Sequence, residues 1–228
     1  MSDARQDGAQ DARRPRLSRE RVLAVAMELA DRDGIEALTI RALAEHLGTK
    51  PMSLYHHVAG KEVLLDGMVD IVFSEIEKPP TDLGWREALR VRCRSAREVL
   101  GRHPWSVPLL ESRHHPGPEL LAHHESVLST LDRAGMPLPL MAHAYAVLDS
   151  FVYGFAMQEA NLAVQRGDED AELAGEIAAA FDPDAYPMMT RFAMEHAMRP
   201  DFDFGDSFDY GLDLLLDGLA RAVERAGA

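Results

Sequence analysis

"TIRALAEHLGTKPMSLYHHVAGK", residues 39–61, decides how the rest of the chain is read. Thr39 is a good N-cap residue. Ile40, Leu43, Ala44 and Leu47 follow at i, i+3, i+4 and i+7, the apolar face of a short helix that Gly48 ends. Only Gly48-Thr49-Lys50 separate it from Pro51, a residue tolerated at the first position of a helix. The helix expected over "PMSLYHHV" has only Leu54 and Val58 to bury. It displays Pro51, Met52, Ser53, Tyr55, His56 and His57, with Lys50 and Lys61 at its flanks. Two short helices joined by a tight, Gly-containing turn form the helix-turn-helix pattern. A second helix so lean in core residues is suited to the major groove, which is read by residues near the helix N-terminus.

The flanks extend this pattern. From Ser18, a second N-cap candidate, "RERVLAVAMELADRDG" places Val22, Ala26 and Leu29 on one helical face before Gly34 stops it. Gly60-Lys61 opens a fourth helix with Leu65, Met68, Val69 and Val72 apolar, and Pro79-Pro80 ends it. None of these helices is long enough to be stable alone. Residues 1–16 are polar and turn-rich and read as a disordered arm. A helix-turn-helix DNA-binding domain is therefore expected over 17–78 and a larger helical domain over 79–228.

In the second domain "WREALRVRCRSAREVLGRH" reads as a long amphipathic helix, and the proline-broken "HPWSVPLLESRHHPGP" as a bend. "PELLAHHESVLSTLDRAG" reads as another helix, ended by Gly135. Residues 139–162 are apolar almost all round between Ala142 and Met157, with Asp149 the only acid or base besides His143. A helix without a solvated face must be covered on both sides, by its own domain and by a second subunit. Residues 166–184 look acidic and loop-like around a short Ala-rich piece. The last helix, about 206–225, carries Phe208, Leu212, Leu215 and Leu219 at i, i+4, i+7 and i+11, a narrow packing seam. Phe155 and these four are the expected dimerisation residues. Asp209, Asp213 and Asp217 repeat like charges at i, i+4 and read as a solvated face. Strand alternation and internal repeats are absent from the sequence, so the fold class is all-α.

Charge separates the two domains. The 228-residue chain carries a formal net charge of −14, which alone argues against nucleic acid. Residues 1–61, however, hold 10 Lys/Arg against 9 Asp/Glu, and residues 62–228 hold 14 against 29. Arg13, Arg14, Arg16, Arg19 and Arg21 crowd the beginning. Such polarity implies two modules with different partners. The one cysteine, Cys93, excludes an internal disulfide framework and suggests a reducing, cytoplasmic setting. The N-terminus has no apolar signal-peptide core, and no stretch is expected to reach the length and apolarity of a membrane span.

Ten histidines raise the question of metal binding or catalysis. The pairs His56-His57, His114-His115 and His123-His124 are adjacent, so on a helix they point about 100° apart and do not readily share an ion. No pair has the spacing that puts two imidazoles on one helical face, and there is no Gly-rich phosphate loop or nucleophile elbow. No cofactor or metal is expected. An enzyme built on the histidine-rich C-terminal domain is the rival from another class, and a ligand-independent regulator or activator the rival within this one. Trp105, Met136, Phe151, Tyr153, Phe155, Met157, Met188 and Met189 are candidates to line an apolar effector site, with Arg92, Ser150 and Gln158 as polar anchors. Core packing explains the same apolar residues.

"LTIRALAEHLGTKPMSLYHHVAGKEVLLDGM", with Gly34-Ile35 ahead of it, resembles the N-terminal module of the tetracycline-repressor (TetR) family of bacterial transcription regulators. A looser similarity to that family's C-terminal domain runs through "GWREALR", "LDRAGM", "FVYGFAMQEA" and the Leu-rich end. The resemblance implies a homodimer that binds an operator palindrome and represses until a small effector in the C-terminal domain releases it. It places Arg41, Pro51, Met52, Ser53, Tyr55, His56, His57 and Lys61 against DNA. Near Leu110 the chain lacks the histidine with which tetracycline repressors hold a magnesium–drug complex.

Overall fold

The computed structural model describes residues 17–110, 112–113, 115–165, 182–197, 199 and 202–226. The arm expected at 1–16, with Arg13, Arg14 and Arg16, and most of the acidic segment 166–184 lie outside them. The described residues contain no strand. The chain divides into two compact units, the first ending at Leu64 and the second beginning at Leu65.

Local rules build the first unit. Helix α1 (Arg19–Asp33) is capped by the Ser18 hydroxyl, which accepts the Arg21 N–H at 3.3 Å. Helix α2 (Ile40–His46) is capped by Thr39, whose hydroxyl accepts the Ala42 N–H at 3.1 Å. Gly48 then turns the chain at φ +62°, a left-handed conformation that favours glycine. Helix α3 (Pro51–Leu54) is a single turn, shorter than the eight residues expected. Beyond it the N–H groups of His57 and Val58 both return to the Leu54 carbonyl, at 2.8 and 2.9 Å. Val22, Ala26, Leu43, Leu54 and Val58 are buried, so each short helix is held by packing rather than by its own propensity. Helix α4 (Lys61–Glu75) begins in this unit and continues into the second.

The second unit comprises the rest of α4 with α5 (Trp85–Arg102), α6 (Val107–Leu110), α7 (Pro118–Arg133), α8 (Leu138–Gln165), α9 (Pro187–Phe192) and α10 (Asp206–Ala226). Helix α8 is central and packs against α5, α7 and α10. By length and composition alone Leu138–Leu162 is apolar enough to cross a membrane, contrary to the sequence expectation. Its apolarity serves a protein core instead: Ala144, Leu148, Val152, Phe155 and Ala156 are buried within the bundle.

Two further expectations are corrected at the α5–α10 and α8–α10 contacts. The aspartates of α10 are half of an interhelical ladder. Arg94 forks onto Asp209 at 2.8 and 3.0 Å, Arg90 bonds Asp213, and Arg86 bonds Asp217. Like charges that repel along each helix are thus cancelled across the pair. The seam of α10 is also closed inside the chain. The Phe208 ring stacks on Phe151 and meets Phe155 edge-on, with centroids 5.3 and 5.1 Å apart. The Arg97 guanidinium lies 5.2 and 5.0 Å from the Phe155 and Phe208 ring centres and forks onto Glu159.

The second half of α4 is fastened to the second unit, which is why the units part at Leu64 and not at the 78/79 boundary read from the sequence. Glu75 binds Arg102 at 2.7 Å and His103 at 3.2 Å, and Asp66 approaches Arg113 at 3.7 Å. Asp70 caps α7, its carboxylate accepting the N–H groups of Glu119 and Leu120 at 2.9 and 3.0 Å. Gly117 makes room for this cap, because a Cβ there would collide with the Asp70 carboxylate. Gly117→Ala and Asp70→Ala should each cost about 1 kcal/mol, the worth of a cap. The double variant should cost little more than either single one in urea unfolding; full additivity would show that the two act separately.

Candidate functional site

The candidate nucleic-acid surface is built on α2, α3 and the start of α4. Leu54 and Val58 face inward and are buried, which turns the other side of α3 outward. Met52 is 73% and Tyr55 46% exposed. Pro51 and His56 are exposed as well, and Ser53 and His57 half-exposed. Arg41, Lys50 and Lys61 are exposed and form no ion pair among the described residues. Around α5 the opposite holds, although Arg133, Arg221 and Arg225 elsewhere in the second unit have no carboxylate partner among the described residues. Every described lysine and arginine from Lys78 to Arg113 is paired with a carboxylate.

The second site is a buried polar cluster joining three helices. Arg92 of α5 is 1% exposed, yet it lies on the packed face with Leu89, Cys93 and Ala96. Its Nη1 meets Asp149 Oδ1 of α8 at 2.7 Å, and its Nε donates to His123 Nε2 of α7 at 3.0 Å. Burial opposes the guanidinium charge, but Asp149 holds Arg92 above its ordinary range, so it stays protonated. Burial and then the Arg92 charge push His123 down to about 3, leaving it neutral. Since Nε2 accepts from Arg92, the imidazole proton sits on Nδ1. Tyr153 donates to Asp149 Oδ2 at 3.4 Å. Burial, with Asp149 beside it, raises the Tyr145 phenol. Phe73 of α4 packs on the His123 ring at 5.4 Å and His124 on Tyr145 at 5.4 Å.

Of the effector candidates, Arg92 and Tyr153 come together here. Trp105 is buried beside His103 instead. Phe151 is half-buried against Phe208, and Ser150, Met157 and Gln158 lie exposed on α8, so they do not line this cluster. Met136 is buried, while Met188 and Met189 are exposed on α9. Among the expected dimer residues, Phe155, Phe208, Leu212 and Leu219 are buried within the chain itself, which leaves them no surface for a second copy; Leu215 is half-buried. Among the described residues, the large apolar side chains that α8 and α10 leave exposed are Leu138, Val147, Met157, Tyr210 and Leu214. His123 and Asp149 were not singled out by the sequence reading as site residues. Asp149 carried a signal as an acid alone in an apolar helix, whereas His123 carried none beyond its adjacency to His124.

A family model described as "Tetracyclin repressor-like, C-terminal domain" matches residues 78–223, and one described as "Bacterial regulatory proteins, tetR family" matches residues 22–68. The chain belongs to the TetR family. It is a helix-turn-helix transcriptional regulator. This TetR-family chain is 36% identical over 221 residues to the HTH-type transcriptional repressor DrrR1 of Streptomyces coeruleorubidus, covering 92% of this chain and 80% of that one. ActR of Streptomyces coelicolor, solved with actinorhodin, superposes with a TM-score of 0.74 at 27% identity, covering 91% and 99% of the two chains. BioQ, known from Mycobacterium smegmatis and solved with its double-stranded DNA operator, gives 0.62 at 25% identity, covering 90% and 99%.

The neutral His123 makes a pH prediction. Between its folded value of about 3 and the ordinary 6.5, the folded TetR-family chain binds fewer protons than the unfolded one. Its contribution is therefore full above pH 6.5 and lost as pH falls. The wild type should lose on the order of 2 kcal/mol more than His123→Gln between pH 7 and pH 5. Denaturant unfolding at both pH values measures it; equal losses would place His123 in contact with solvent.

Proposed function

We propose that the chain acts in the cytoplasm as a homodimeric repressor whose first unit grips an operator palindrome and whose second unit takes up a small effector that weakens the grip. The carrying observation is the partition of cations. The arginines and lysines of α5 and its neighbours are spent on carboxylates, while Arg41, Lys50 and Lys61 are left without an acidic partner among the described residues. Phosphate would satisfy them and release counterions. The N-terminal end of a recognition helix meets base edges, which assigns reading to Pro51, Met52, Ser53 and His56, with Tyr55 and His57 beside them. Lys61 opens α4, where free backbone N–H groups also favour a phosphate.

The dimer contact assigned here differs from the one first read in the sequence. Val147 and Met157 of α8 and Tyr210 and Leu214 of α10 are exposed apolar residues along the two helices, and a second copy would cover them. Support for the effector comes from ActR, solved with actinorhodin. Support for the operator comes from BioQ, solved on its DNA.

Gel-shift titrations against salt test the DNA reading. Affinity should fall steeply, with a slope reflecting about 6–10 phosphate contacts for two heads. Lys61→Ala should weaken every sequence alike and lower the slope by about one unit, whereas Ser53→Ala and His56→Ala should change the preferred bases, each contact being worth about 1–3 kcal/mol. A base preference that follows Lys61 and ignores Ser53 and His56 would put the wrong helix in the groove. Leu214→Glu, which buries an unpaired charge in the dimer but leaves it solvated in the monomer, should give a folded monomer in sedimentation and abolish operator binding. A dimer that survives both Leu214→Glu and Val147→Glu would reject this interface.

A further inference from the structure

Among its described residues the first unit exposes a single sulfur atom, and that atom lies on the surface assigned to DNA. Leu54 and Val58 face inward, so α3 turns Met52 outward, where it is 73% exposed. Met52 follows Pro51 in the first turn of α3, which the Ser53 N–H closes by donating to the Lys50 carbonyl at 2.9 Å. Met27, the other described methionine of this unit, is buried in α1. In the second unit Met68, Met136 and Met141 are buried. Cys93 is buried as well, and burial raises its thiol, so little of the reactive thiolate forms there. The other exposed thioethers among the described residues are Met157, assigned above to the dimer contact, and Met188, Met189 and Met194, which lie between Pro187 and Ala197. A thioether in solvent is open to oxidation, whereas one inside a packed core is shielded.

We infer that Met52 is an oxidation site, and that two-electron oxidants of the peroxide class weaken operator binding by converting its thioether to a sulfoxide. The inference rests on the reading that α3 enters the major groove. The step balances: the sulfur gives up two electrons and takes one oxygen atom from the peroxide, the O–O bond breaks, and the second oxygen leaves as water. Before the step Met52 offers the groove a soft apolar side chain, suited to a thymine methyl. After it, the same position holds a strong dipole whose oxygen accepts hydrogen bonds and donates none. Guanine and thymine present acceptors in the major groove, and the phosphates around them are anionic. The sulfoxide oxygen therefore gives up its water to face partners that are mostly acceptors like itself, which is costly. Because Met52 points away from Leu54 and Val58, the burial that holds α3 in place is left intact. Bound DNA would cover the same sulfur, so the free regulator is the form that reacts, and a methionine sulfoxide reductase would return it.

The test uses the full chain and a DNA duplex that the untreated chain selects from random sequence. Protein partly oxidised with hydrogen peroxide is mixed with a limiting amount of that duplex. Bound and unbound protein are separated, and peptide mass spectrometry measures each sulfoxide in both. Met52 sulfoxide should be enriched about tenfold in the unbound fraction, the ratio that one lost base contact gives. The sulfoxides of Met188, Met189 and Met194 should divide evenly, which makes them internal controls. Duplex present during the oxidation should slow the reaction at Met52 and leave those three unchanged. Treatment with methionine sulfoxide reductase should restore binding. Met52→Leu, which keeps an apolar side chain without sulfur, should lose no affinity on peroxide treatment when compared with its own untreated form. No sulfoxide at Met52, an even division of it between the fractions, or a Met52→Leu protein that loses as much as the wild type overturns the inference and leaves the regulator reading standing. Failure of the untreated chain to select any duplex would remove that reading, and this inference with it.

Discussion

A buried guanidinium organises the second unit. Arg92 sits on the packed face of α5, where neighbouring positions hold leucine, cysteine and alanine. Removing one partner from a buried pair of this kind costs about 3–5 kcal/mol, because an unpaired charge is left behind. Asp149 must therefore come from α8 and an acceptor from α7, and only one register of the three helices supplies both. Apolar side chains alone tolerate sliding by a turn; this hydrogen-bonded charge does not. The pair gives the unit specificity of arrangement, and hydrophobic burial gives it most of its stability.

Charge is allocated on the same principle across the chain. The second unit is strongly acidic by composition, but its helices bring cations and anions together: Arg86, Arg90 and Arg94 face Asp217, Asp213 and Asp209, and Arg97 faces Glu159. Exposed pairs of this sort each contribute about 0.2–1 kcal/mol, so their main effect is to set register and to neutralise positive charge away from the first unit. Among the described residues Arg41, Lys50 and Lys61 remain unneutralised in the first unit, and Arg133, Arg221 and Arg225 in the second. A protein of net charge −14 can hold DNA because its field is uneven.

How much of this was legible depended on whether the rule was local. Ser18, Thr39, Gly34, Gly48 and Pro51 act within one turn of themselves, and each helix of the first unit begins or ends where they indicate. The aspartate ladder was not legible, since each row read alone is a repeat of like charges, and its partner row lies more than a hundred residues away. The seam of Phe208, Leu212 and Leu219 was legible as a packing stripe, and within this chain Phe208 packs on α8. A stripe shows that something covers it, not which chain does. Arg92 was legible as a polar anchor, while His123 was one member of several histidine pairs and acquired meaning only when α7 met α5.

His123 also ties the bundle to α4. Its ring packs at 5.4 Å on Phe73, a residue of α4. The same stretch of α4 is held at Asp66, Asp70 and Glu75 by the α6–α7 connection and the end of α5. Those ties are ionic and directional, so this part of α4 follows α6 and α7 as one piece rather than yielding between them. A close-packed interior transmits displacement because its side chains have few alternative seats. Helix α4 runs without a break back to Lys61, so the stretch held by these ties and the end that Lys61 opens belong to one helix.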